Sequence, residues 1–182
     1  REGIEQARAA GRAVAAATRG ARRVEVVYSS WLRRAVETAV GVARELGVPL
    51  VLSRGLSECA AAVKRQGVTS FDFLGLAEVR ALAPDVAMED GDALGIPSEG
   101  FDAAVAHIAA EAAASRARRA VVVAHREAIR DLHTSGPRLR RLPYCCIAAF
   151  DCDAAAGAWR MRMLTAMDGE LIKRVDHGDE EE

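Results

Sequence analysis

Aromatic residues are scarce. Phe, Trp and Tyr make up 4% of the 182 residues against 51% hydrophobic overall, so Ala, Val and Leu must fill any core. Alanine buries little area, which predicts closely packed helices and modest stability. Net charge is almost absent too: the formal value is −1, and no global field draws the chain to nucleic acid or to a membrane. The basic runs Arg116–Arg119 and Arg138–Arg141 carry no interleaved aromatics, as a single-strand binding surface would. They read as solvated faces, and no nucleic-acid partner is expected. The four cysteines, Cys59, Cys145, Cys146 and Cys152, form no CxxC pair and match no zinc-ligand spacing. No metal and no cofactor are expected, and reduced thiols suit a cytoplasmic protein. No apolar run reaches membrane-spanning length and no signal peptide is visible, although the first residue is Arg1 and a targeting segment upstream stays open.

What is present alternates between helical and strand patterns. Ile4, Ala7, Gly11 and Val14 recur at helical intervals over 2–18, and Val24–Tyr28 reads as a short buried strand. Ser30 is placed to cap a helix over 31–46, striped by Leu32, Val36, Val40, Ala43 and Leu46 and stopped by Gly47. Val48–Leu52 reads as a second strand. From Ser53 to Pro97 the pattern is irregular, with short helices expected near 60–66 and 75–82. Ser98 is expected to cap a helix to Ser115. Ala120–Ala124 is a continuous apolar run suited to a sheet centre, with His125 at its carboxyl end and a helix from near Glu127. Cys145–Phe150 and Trp159–Leu164 are expected to pair antiparallel across a turn at 153–157. The pattern predicts an α/β fold: a three-layer α/β/α sandwich on a mostly parallel sheet, one domain over 1–175 and an acidic tail over 176–182.

In open α/β sheets functional groups collect at the carboxyl ends of strands. Ser29, Ser30 and Arg34 follow one strand and His125 follows another, so they are expected at one sheet edge. A guanidinium fork, an imidazole able to carry charge and the amino end of a helix suit a phosphate or carboxylate. Taken singly, each residue has an ordinary reading as a surface or structural group, and Glu58 in a loop attracts no notice.

Together they carry a pattern. Tyr28-Ser29-Ser30, then Leu32, Arg34-Ala35 and Thr38-Ala39, resembles a signature of the histidine phosphatase superfamily, the phosphoglycerate-mutase-like group. Leu56-Ser57-Glu58 resembles that family's leucine-x-glutamate element, and Val121–His125 its second-histidine strand. Gly3, Gln6-Ala7 and Gly11 resemble the helix after its first motif, so the likeness runs from Arg1 to about Phe150. The resemblance implies phosphomonoester hydrolysis through a phosphohistidine, on a phosphorylated small molecule or a phosphoprotein. Arg34 and His125 would be catalytic and line the phosphate pocket with Ser30, and Glu58 would protonate the leaving group. Such an acid needs its pKa raised by burial or by nearby negative charge.

The chain departs from the family pattern in three places. The arginine-histidine-glycine motif that ends the family's first strand would lie upstream of Arg1, so the expectation is a sheet with its first strand missing. The chain would then be an enzyme fragment or, alternatively, a non-catalytic phosphate-binding pseudophosphatase. His107 and His133 sit in or near helices, poor places for an exposed nucleophile. Asp176-His177-Gly178 superficially resembles the missing motif, but an aspartate where an arginine is needed would repel phosphate. Arg126-Glu127 stands where the family commonly has glycine, and Arg126 either adds a phosphate donor or forms a surface salt bridge. Cys59–Ala62 replaces the usual residues after the catalytic glutamate.

Overall fold

Val24, Val26 and Val27 make an extended, β-branched run with Tyr28, and they build the middle of the molecule as β1 (Val24–Ser29). In the computed structural model, residues 2–18, 23–57, 71–114, 119–132, 142–153 and 158–174 are described. Before β1 lies α1 (Glu2–Ala17); after it come α2 (Arg33–Leu46), β2 (Leu50–Leu52) and a 3-10 turn (Arg54–Leu56). Next are α3 (Leu76–Leu82), β3 (Met88–Asp90), α4 (Phe101–Ala114), β4 (Arg119–Val123) and α5 (Arg126–Leu132). The strands β5 (Ile147–Asp153), β6 (Ala158–Thr165) and β7 (Leu171–Arg174) complete the described elements.

The first four strands form a parallel sheet in the order β3-β2-β1-β4. Val27 stands opposite Leu50 on one side and Val121 on the other. Alternation then sorts the side chains into two cores. Val27, Leu50 and Leu52 pack with Val36, Val40 and Leu74. Tyr28 and Val51 pack with Leu56, Val105 and Ile108. Helices α2 and α4 therefore cover opposite faces, which is the expected α/β layering. Helices α1 and α2 lie so close that a Cβ on Gly41 would sit 2.9 Å from that of Ala7. Small residues permit the approach, as the alanine-rich composition predicts. Strands β5, β6 and β7 make a separate antiparallel sheet around Met161 and Leu164.

Several sequence expectations move. The helix expected at 31 starts at Arg33, and its N-cap, Leu32, has no side-chain cap bond. Ser30 instead accepts the Leu32 N–H at 3.1 Å, closing a turn before the helix. Gly47 ends α2 in a left-handed conformation, as expected. The helix expected to start at Ser98 begins at Phe101, because Gly100 at φ 97 interrupts the path. The strand expected from Cys145 begins at Ile147, since Cys145 lies in a turn at φ 52. The short helix expected near 60–66 falls outside the described residues, while that near 75–82 is α3. Strands β3 and β7 were not anticipated: Met88-Glu89-Asp90 is too short and acidic to show alternation.

Candidate functional site

Parallel pairing brings the carboxyl ends of β1 and β4 side by side, with Ser29 opposite Val123. The Ser30 N–H donates to Val123 O at 3.3 Å, which ties the turn before α2 to the end of β4. Arg34, in the first turn of α2, and His125, just past β4, thereby meet across 91 positions of sequence. Arg34 Nη2 stands 3.3 Å from His125 Nδ1. The other imidazole nitrogen, Nε2, stands 3.2 Å from Ser30 Oγ.

The imidazole is half-buried beside a fixed cation. Burial first, and the Arg34 charge second, push its pKa down to about 4. At neutral pH it is uncharged. A guanidinium has only donors, so Nδ1 turns its lone pair to Arg34. An oxyanion entering between them would accept from Arg34 and would let Nδ1 take a proton, because negative charge reverses the cause of the depression.

Ser30 is wholly buried, in contrast to the exposed Arg34, and it stands behind His125, away from the wall of the cleft described below. Its hydroxyl also donates to Ser57 Oγ at 3.2 Å. Ser57 is held there by the 3-10 turn, whose Gly55 has no room for a side chain. A Cβ at Gly55 would lie 2.0 Å from Pro97 O. Ser53 Oγ accepts the Gly55 N–H and donates to Asp92 Oδ1, fixing the start of the same turn. Ser57 is the last described residue of this segment, and Glu58 lies outside the described residues.

Arg126 opens α5, is exposed, and lays its guanidinium 5.3 Å from the centre of the Tyr144 ring. This cation–π contact is one its sequence position did not suggest, and Arg126 also lines the cleft described below. Beside it, Cys145 takes a left-handed backbone that costs a non-glycine residue about 1–2 kcal/mol. Burial raises the thiol pKa of Cys145 and Cys146, and a hydrogen bond with Thr38 only partly opposes this at Cys145. These thiols are therefore not primed as nucleophiles. Among the described residues no cluster of histidine, cysteine and acidic side chains could hold a metal ion, and no helix is long and apolar enough to cross a membrane. His107 is on α4, with Nε2 3.6 Å from Glu111 Oε1, and is not among the residues lining the cleft. His133 and His177 lie outside the described residues.

Arg34, His125, Arg126 and Thr38 open onto a cleft of about 1730 Å³. It runs between β4 and β5, with Gly3 and Ile4 of α1 along one border and Val105 and Ile108 of α4 along another. Among the described residues each of these two strands ends its own sheet on that side. The cleft is thus apolar along the strands and cationic at the carboxyl end of β4.

The profile of the histidine phosphatase superfamily (branch 1) matches residues 1–160, and the chain belongs to that family. No curated protein sequence matches it. Among solved structures, a mycobacterial glucosyl-3-phosphoglycerate phosphatase complexed with VO3 is 22% identical, with a TM-score of 0.46 over 87% of this chain and 82% of that one. The same phosphatase with inorganic phosphate is 21% identical at a TM-score of 0.46, again over 87% and 82%. In its native form it gives 21% and 0.44 over 87% and 83%.

Proposed function

We propose that this domain serves phosphomonoester hydrolysis through a phosphohistidine, with Arg34 and His125 holding the phosphate and Glu58 protonating the leaving group. The observation that carries the reading is the 3.3 Å approach of Arg34 to His125 at the mouth of a cleft. A guanidinium fork beside an imidazole that can accept a proton suits a tetrahedral dianion, whose equatorial oxygens need donors as charge builds. The substrate is a phosphorylated small molecule or a phosphoprotein. Simple hydrolysis is favoured over mutase chemistry, since nothing visible in the sequence marks a phosphoglycerate-specific pocket.

His125 is a poor attacking group in this arrangement. Its Nδ1 lone pair faces Arg34 and its Nε2 faces Ser30. The reaction therefore needs a second imidazole; the resemblance implies it on the family's first strand, upstream of Arg1, and we seat that strand between β4 and β5. The edges of β4 and β5, open among the described residues, and the apolar walls of the cleft support that placement, because unpaired edges recruit extended chain. A strand parallel to β4 would end beside Arg34 and His125. The alternative, a pseudophosphatase that binds phosphate without turning it over, is favoured by the same orientation of His125.

Turnover separates the two. Hydrolysis of 4-nitrophenyl phosphate by the full-length protein, slowed on the order of a hundredfold or more by Glu58→Gln, is the expected result for an enzyme. Phosphate binding with no turnover in that protein would establish the binding module. An unchanged rate in Glu58→Gln would remove Glu58 from the acid's role.

A further inference from the structure

We propose that Ser30 is a positioning residue, the middle link of a one-way hydrogen-bond chain running Arg34→His125→Ser30→Ser57 that locks His125 in its Nε2–H tautomer. The argument is an inventory of donors and acceptors. Arg34 can only donate, so the 3.3 Å contact requires a lone pair on Nδ1. A neutral imidazole with a bare Nδ1 carries its proton on Nε2, and that proton points at Ser30 Oγ, 3.2 Å away. Ser30 Oγ already accepts the Leu32 N–H at 3.1 Å. With His125 as its second donor, both lone pairs are taken, and its one proton goes to Ser57 Oγ at 3.2 Å. The four groups satisfy one another in this direction only. Reversing it would set Nδ1–H against the guanidinium and bring a second donor to Ser30 in place of His125.

Burial gives the chain its stiffness. Ser30 is fully enclosed, so water cannot substitute for either partner. Its backbone N–H is bound to the end of β4 and its oxygen to the start of α2, so the hydroxyl position is set by both elements. The consequence is directional: Nδ1, the atom facing Arg34, which like His125 lines the cleft, is kept free of a proton until an anion arrives. Ser57 keeps its own hydroxyl proton, one position before Glu58 in the chain. The inference depends on the proposed function only for this consequence, because the tautomer exists in the ligand-free protein.

The test is a long-range proton–nitrogen NMR spectrum of the ligand-free, full-length protein at neutral pH, with labelled histidine. The wild type is expected to show His125 with bare Nδ1 and a protonated Nε2 protected from solvent exchange. Ser30→Ala should speed exchange of that Nε2–H on the order of tenfold, the equivalent of one lost hydrogen bond. Because Ser30→Ala also strips the Leu32 N–H of its acceptor, Ser57→Ala provides a second route. It leaves that bond intact, frees the Ser30 hydroxyl to turn, and should speed exchange severalfold. An Nδ1–H tautomer in the wild type overturns the proposal, as does exchange unchanged in both variants. Neither result depends on phosphate binding or turnover, so a failure here is distinct from a failure of the phosphatase reading.

Discussion

The two flanks of β1 differ in completeness. Toward β2, Leu50, Val51 and Leu52 are all buried, and strand, helix α2 and the 3-10 turn close around them. Toward β4, the run Ala120–Val123 is just as apolar, yet each residue stays partly exposed along the cleft. Strand β5 shows the same partial burial across Ile147–Phe150. The sequence of β4 is that of a strand enclosed on both sides, and the described residues pair it on one. One flank carries the packing energy, while the other carries the cationic end where Arg34 and His125 meet.

The sharpest way to break this contrast is to cut one strand side chain on each flank. Leu50→Ala removes a fully buried side chain and should cost about 2–5 kcal/mol in urea unfolding. Val122→Ala, on the open flank, should cost below about 1 kcal/mol, because part of its surface is already in water. Equal losses would mean that the β4–β5 cleft is filled in solution, as a seated strand would fill it.

Between these two in size lies a pH effect confined to the site. Unfolded His125 takes a proton near 6.5, whereas the folded imidazole resists until about 4. As pH falls, the unfolded state therefore binds the proton first and gains from it. The neutral site's full stability is present above 6.5, declines through the window from 6.5 to 4, and levels off below it. The loss amounts to at most about 3 kcal/mol. Urea midpoints across that window, compared with His125→Asn, isolate it: the variant should decline less.

Much of this was legible from residue order alone, for reasons of local chemistry. β-Branched runs mark β1 and β4, Gly47 marks the end of α2, and strand ends mark Arg34 and His125 as neighbours. Other features depend on distant partners. Ser30 looks like a helix cap because serine before a helix commonly is one, and only Ser57 and His125, 27 and 95 positions away, give it another role. Gly55 looks like any loop glycine until Pro97 comes against it. Arg126 has an aromatic partner, Tyr144, that spacing does not reveal. Strand β3 exists because β2 offers an edge, since its own residues favour no extended form.

The account's central claim is that Arg34 and His125 together form a phosphate site that takes up a proton when it fills. The most direct measurement is calorimetric titration with sulfate, a dianion that does not itself titrate near neutral pH, in two buffers of different ionisation enthalpy. The account predicts proton uptake approaching one per sulfate bound, with affinity falling as pH rises, and a loss of about 10–100-fold in affinity for Arg34→Ala. Sulfate binding without proton uptake, or binding indifferent to Arg34→Ala, would contradict it.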